Sequence, residues 1–275
     1  MVLSRRAGVL LGCTTVLGLA AFGWPFLLSA AGSGAPHGAD APYLFALVVP
    51  LLLAVLAVEV ADGGLDAKAI AILGILAALG AVLRIAGEGL AGVEPLFALV
   101  ILAGRAYGRV FGFCCGALCL LASAVVTAGI GPWLPFQVLA MAWVGFGAGC
   151  LPSMRGRREV VLLAAYGALA AFAYGMVMDL WFWPLQAGLS STVSYLPGGG
   201  LSENLRRFVV FDASSALGFD LVQATTNFVL LLLLGSGVLL TLRRAGRRAA
   251  FGPARLTQLT AVERGRESPS AKAER

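Results

Sequence analysis

The chain has 275 residues, of which 59% are hydrophobic and only 12% charged, and its mean hydropathy is +0.90. A water-soluble globular chain is nearer half apolar and a quarter charged, so this balance excludes a soluble enzyme and points to a polytopic, all-α membrane helix bundle. The five cysteines (Cys13, Cys114, Cys115, Cys119 and Cys150) all lie inside apolar runs, which excludes a secreted disulfide scaffold.

Crossing a hydrocarbon core of roughly 30 Å takes about 20 helical residues. Eight segments qualify: 7–31, 43–61, 68–87, 93–107, 109–130, 135–151, 159–183 and 213–242. The first follows Arg5-Arg6 like a signal peptide, with Ser29-Ala30-Ala31 as a weak cleavage site. Its apolar run is longer than the cleaved kind, about 7–15 residues, so it is expected to be retained. His37, the single histidine, falls in the polar loop that follows. The segment 93–107 is short and carries Pro95 near its start, which suggests a tilted or buried helix.

Small residues fill the third segment, where Ala67/Ala71, Gly74/Ala78 and Ala77/Ala81 each have the small-x-x-x-small spacing that lets helices approach closely. Such pairs serve either an intersubunit face or ordinary internal packing. Cys115 and Cys119 share a face of the fifth segment and read as packing residues, with no metal site expected. In the last segment Gly218 separates a polar part from an apolar run ending at Leu242, so an interfacial helix near 203–217 is expected to precede the span. Before it, Leu196-Pro197-Gly198-Gly199-Gly200 reads as a flexible hinge. From Ala245 onward the apolar period is lost, and 244–275 reads as a basic, disordered tail.

With eight spans and the N-terminus inside, seventeen of the twenty basic residues fall on the inner side, and only Arg84, Arg206 and Arg207 on the outer. That asymmetry is the positive-inside pattern, and it predicts a multi-pass protein of a prokaryotic cell membrane with both termini cytoplasmic. The net charge of +6 is therefore a topology signal, with anionic lipid as its neighbour and no nucleic-acid partner required.

Polar residues within the spans gather toward the outer ends. Arg84, Glu88 and Glu94 sit there on the third and fourth segments, Trp133 and Gln137 before the sixth, and Asp179, Trp181 and Trp183 at the end of the seventh. Asp220, Gln223 and Asn227 lie in the outer half of the eighth, the last two on one helical face. Charged groups in lipid are costly, so this grouping predicts an outward-opening pocket with aromatic walls. Trp181 and Trp183 serve equally as an interfacial aromatic belt, and Arg84 and Glu88, four residues apart, also suit a mutually neutralising pair. Asp212 is expected to be solvated. No G-x-x-x-x-G-K-[ST] loop occurs, so the chain hydrolyses no nucleotide by that route.

Three stretches, Lys68–Leu83, Gly131-Pro132-Trp133-Leu134-Pro135-Phe136-Gln137 and Met178-Asp179-Leu180-Trp181-Phe182-Trp183-Pro184, resemble the substrate-binding membrane subunits (S components) of energy-coupling factor transporters, as does the last span with Asp220 and Asn227. The likeness covers roughly 63–243. It implies a six-helix core that captures a vitamin or related micronutrient from outside and is itself no enzyme. It also implies partners: a transmembrane coupling protein and two ATP-binding cassette subunits. By the same resemblance, Arg84, Glu88, Trp133, Gln137, Asp179, Trp183, Asp220, Gln223 and Asn227 would hold the micronutrient. Ala67, Ala71, Gly74 and Ala78 would face the coupling protein. The aromatic walls lean toward a corrinoid such as cobalamin, with a thiamine precursor or riboflavin as alternatives; no cofactor is implied. The two helices within 1–62 lie outside the family pattern and form an N-terminal extension. Competing readings are a membrane-embedded enzyme with Asp179 or Asp220 as general base, and an autonomous ion-coupled carrier.

Overall fold

The computed structural model describes residues 5–27, 65–87, 90, 92–186 and 192–266, together with 50, 51, 53–55, 57, 58 and 61. Glu88, His37, residues 28–31 and much of the expected second span lie outside the described residues, as do 267–275. The described residues of 50–61 are helical. The other helices are α1 (Arg5–Leu27), α2 (Ala67–Gly87), α3 (Leu96–Tyr107), α4 (Arg109–Val126), α5 (Leu134–Cys150), α6 (Arg157–Phe182), α7 (Leu201–Ser215) and α8 (Leu217–Arg266). A short 3-10 turn, Trp183–Leu185, extends α6. No strand occurs among the described residues. The protein is an all-α helix bundle whose long apolar helices suit a multi-pass membrane protein.

Among the described residues five helices are long and apolar enough to cross a membrane, and α3 and α5 are shorter apolar helices. The short segment 93–107 holds α3, which has 12 residues and a length of only about 18 Å. Eight of its residues are buried, from Leu96 to Gly104, because α4, α5, α6 and α8 surround it. Gly108, at φ +101°, turns the chain straight from α3 into α4, a backbone conformation that side-chain-bearing residues rarely adopt. At the crossing of α3, α4 and α5, Gly104, Gly112 and Gly145 let the backbones touch; a Cβ at Gly112 would collide with the Gly145 carbonyl and with Gly104. Close approach of this kind replaces the hydrophobic drive that helices lack in lipid.

Helix α2 opens at Asp66, whose Oδ1 accepts the Ala69 N–H at 2.7 Å, an N-cap bond. Its buried face, Leu73, Leu76, Ala77, Gly80 and Ala81, packs on α4. Gly80 leaves room for Cys119, whose thiol donates to the Leu76 carbonyl at 3.5 Å. Ala67, Ala71, Gly74 and Ala78 lie on the opposite, exposed face, and a Cβ at Gly74 would meet no atom within 4 Å. The third small pair, Ala77/Ala81, is internal packing.

One end of the bundle is tied by a buried ion network. Glu159 accepts from Arg105 Nε at 2.7 Å and from Arg243 Nη2 at 2.6 Å, and Arg105 also donates to the Leu151 carbonyl at 2.9 Å. This joins α3, α6, α8 and the end of α5. At the opposite end α7 packs against α1, α6 and α8, and the break before α8 falls at Ala216, ahead of Gly218. The glycine run before α7 is no free hinge: the Asn204 side chain accepts the Leu196 N–H and donates to the Leu196 carbonyl, each at 3.0 Å.

Helix α1 is packed against the core as well as appended to it. Phe22 meets Phe136 edge-on at 5.0 Å, Trp143 Nε1 donates to Thr15 Oγ1 at 3.3 Å, and Tyr195 donates to the Pro25 carbonyl at 3.1 Å. Beyond 243, α8 continues to Arg266, and 267–275 lie outside the described residues. Ala and Arg, good helix formers, supply ten of residues 245–266 and extend a helix already nucleated in the span, across Gly246, Gly252, Pro253 and Gly265.

Candidate functional site

A cavity of about 900 Å³ opens at the α7 end, between the end of α2, the loop before α3, the start of α5, the end of α6 and the start of α8. Arg84, Gln137, Asp179, Asp220 and Gln223 line it, as expected from the sequence. Glu94, Tyr174, Gly175, Phe182, Phe211 and Phe219 complete much of its wall. The volume is that of a small-molecule site, and the lining is mostly apolar with a few convergent polar groups.

Two polar sets face this space. On one side Arg84 Nη2 donates to Gln137 Oε1 at 3.0 Å, and Gln223 Nε2 donates to Glu94 Oε2 at 2.9 Å. Arg84 also lies close enough to Glu94 for their charges to attract. Its Nη1 is buried and has no hydrogen-bond partner. Arg84 is therefore turned toward α5, and the alternative pairing with Glu88 falls on a residue outside those described.

On the other side stand Asp179 from α6, Asp212 from α7 and Asp220 from α8. The expectation that Asp212 is solvated is corrected, because the fold of α7 over the bundle brings it beside Asp179. Its Oδ1 and the Asp179 Oδ2 are both buried without a hydrogen-bond partner. Burial pushes the Asp212 carboxyl above the usual carboxylate range, and a hydrogen bond shared with Asp179 draws it part of the way back. Asp220 is 4% exposed and lines the cavity. Gly175 faces it across the α6–α8 contact, and a Cβ at Gly175 would meet the Asp220 carboxylate.

Three expected site residues lie elsewhere. Trp183 is fully buried away from the cavity, where its ring packs with Tyr195 at 5.4 Å and Phe208 at 5.5 Å and its Nε1 donates to the Val193 carbonyl at 2.7 Å. It anchors the loop before α7, and α7 itself, onto the bundle. Trp133 is 42% exposed, its ring lying against Gly131, and it contributes no wall. Asn227 is 0% exposed, one turn deeper than Gln223, and neither of its side-chain polar atoms has a partner. Trp181, the other tryptophan of that motif, packs at a tilt against Phe136 at 5.0 Å.

Tyr174 and Gly175 were not singled out from the sequence. Tyr174 looks like one more aromatic in an alanine-rich helix, and its ring packs edge-on against Phe97 of α3 at 5.0 Å, while Gly175 lies four residues before Asp179 on one face of α6. No group of three His, Cys, Asp or Glu side chains among the described residues is placed to hold a metal ion. The chain matches no protein-family model, no curated protein and no solved structure.

Proposed function

We propose that this protein is the substrate-capture membrane subunit of an energy-coupling factor transporter, binding a vitamin or related micronutrient from outside the cell for ATP-driven import. The observation that carries the reading is the cavity itself: a ligand-sized space at one end of a membrane bundle, lined by Arg84 and Asp179, each of which keeps a buried polar atom without a partner. Buried polar atoms without partners are costly, and a ligand that supplies the missing hydrogen bonds removes that cost.

The charge distribution supports the direction. Arg105, Arg157, Arg158, Arg243 and Arg244 cluster at the end opposite the cavity, so the positive-inside rule turns the cavity outward and both termini to the cytoplasm of a prokaryotic cell. Anionic lipid headgroups would surround that basic end. In this reading the protein binds and does not catalyse. Energy would come from two ATP-binding cassette subunits through a transmembrane coupling protein, docked on the exposed small-residue face of Ala67, Ala71, Gly74 and Ala78.

Mass spectrometry of small molecules released from protein purified out of its native membranes tests the capture role. A stoichiometric organic micronutrient is the expected result. A preparation that is stable, monodisperse and carries only lipid counts against it.

A further inference from the structure

The cavity is electrically lopsided. Arg84 faces Glu94 and donates to Gln137, so its charge is largely answered within the protein. Asp179, Asp212 and Asp220 are not answered: among the described residues no Lys or Arg forms an ion pair with any of them. Asp220 is 4% exposed, lines the cavity, and receives no hydrogen bond. Glycine at 175 lets the Asp220 carboxylate lie against the α6 backbone, where any side chain would collide with it. The buried Asp179 Oδ2 is likewise unpartnered. Together they make an acidic half-site built from the ends of two long helices and α7.

We propose that this half-site binds the positively charged end of a planar organic cation, an ammonium or amidinium group, while the buried Nη1 of Arg84 takes a hydrogen-bond acceptor at the ligand's other end. The inference rests on the reading that the cavity is a capture site, and it names the chemical class captured. A metal ion is the poorer occupant, because the carboxylates are not gathered at ligating distance around one point. An ammonium or amidinium bridges acceptors that stand further apart, through several N–H groups in charge-assisted hydrogen bonds. The aromatic side chains beside the acids, Phe182, Phe211 and Phe219, suit the face of a flat ring and the attraction of a cation to a π-system. A bulky corrinoid, favoured by the sequence reading, makes less use of this charge pattern than a small cationic heterocycle does.

The test uses three probes of one shape on the purified full-length protein: benzamidine, which is cationic, benzamide, which is neutral, and benzoate, which is anionic. Binding is followed by thermal shift and isothermal titration in detergent at moderate salt. Benzamidine is expected to bind in the millimolar range of a fragment, at least tenfold tighter than benzamide, with benzoate weakest. Asp220→Asn and Asp179→Asn should each erase most of that preference. Equal binding of benzamidine and benzamide, a preference for benzoate, or no binding of benzamidine overturns the proposal, and the comparison on the unaltered protein needs no variant to fold. Failure of the capture reading is separate: a cation-selective cavity on a protein that never associates with ATPases keeps this inference and sinks the transporter.

Discussion

Gly175 of α6 stands against the carboxylate of Asp220 on α8, in the one place along that contact where a side chain would displace the acid from the cavity wall. The far end of an aspartate is flexible, so Gly175→Ala is expected to fold, with an overpacking cost of roughly 1–3 kcal/mol. The displaced carboxylate should lower binding of the co-purifying small molecule severalfold. Quantifying that molecule per mole of monodisperse protein, variant against unaltered chain, decides the matter. Unchanged occupancy would remove Asp220 from the site.

The crowding of Asp212 gives a pH signature. Burial raises its carboxyl above the ordinary value, so the folded protein holds that proton more tightly than the unfolded chain does. The stabilising contribution is then full below the unfolded pKa, about 3.9, and is lost as pH rises through the folded value. Asp179 faces it and partly offsets the effect, and burial remains the larger cause. Asp212→Asn copies the protonated form and is expected to melt higher than the unaltered protein at neutral pH, with the difference shrinking in acid. A lower melting temperature at neutral pH would contradict this reading of the pair.

How much of this was legible beforehand follows from what each signal depends on. Helix existence rests on apolar length and survives in α1, α2, α4, α6 and α8. The shortness of α3 was only half visible, in Pro95, because its burial comes from neighbours remote in sequence. Arg84, Gln137, Asp179, Asp220 and Gln223 were recoverable because polar side chains in apolar helices are conspicuous on their own. Trp183 and Trp133 lie away from the cavity, a placement the sequence does not fix, because an aromatic at a helix end serves a belt, a wall or an anchor equally well until its partners are known. Tyr195 and Phe208 make Trp183 an anchor. Asp212 was misread for the same reason: how α7 packs on the bundle is not written in its own fifteen residues.

Glu159 is 3% exposed and accepts from both Arg105 and Arg243, so Glu159→Ala leaves a buried guanidinium without its partner. Removing one member of a buried pair costs about 3–5 kcal/mol. The expected result is a large drop in unfolding midpoint, with cavity binding in the surviving folded fraction unchanged, since the network lies at the far end. A stable Glu159→Ala protein would show that the clamp adds little.

Two glycine- and alanine-rich faces predict opposite phenotypes. Gly112 is pressed against Gly145 and Gly104, so Gly112→Leu should give little folded protein. Ala71 and Ala78 are exposed, so Ala71→Leu and Ala78→Leu should fold and retain ligand while uptake fails, as expected where a partner helix must come close. Size-exclusion profiles and uptake assays on the three variants separate internal packing from docking. Normal uptake with both alanine replacements would place the coupling contact on another face.

The central claim is association with an ATP-driven module, and its most direct measurement is purification of the tagged full-length chain from native membranes under mild detergent, with every partner identified and counted by mass spectrometry. The account predicts one transmembrane coupling protein and two ATP-binding cassette subunits per copy, with ATPase activity in the complex. Recovery of the folded chain alone, or with partners that carry no nucleotide-binding loop, would contradict it.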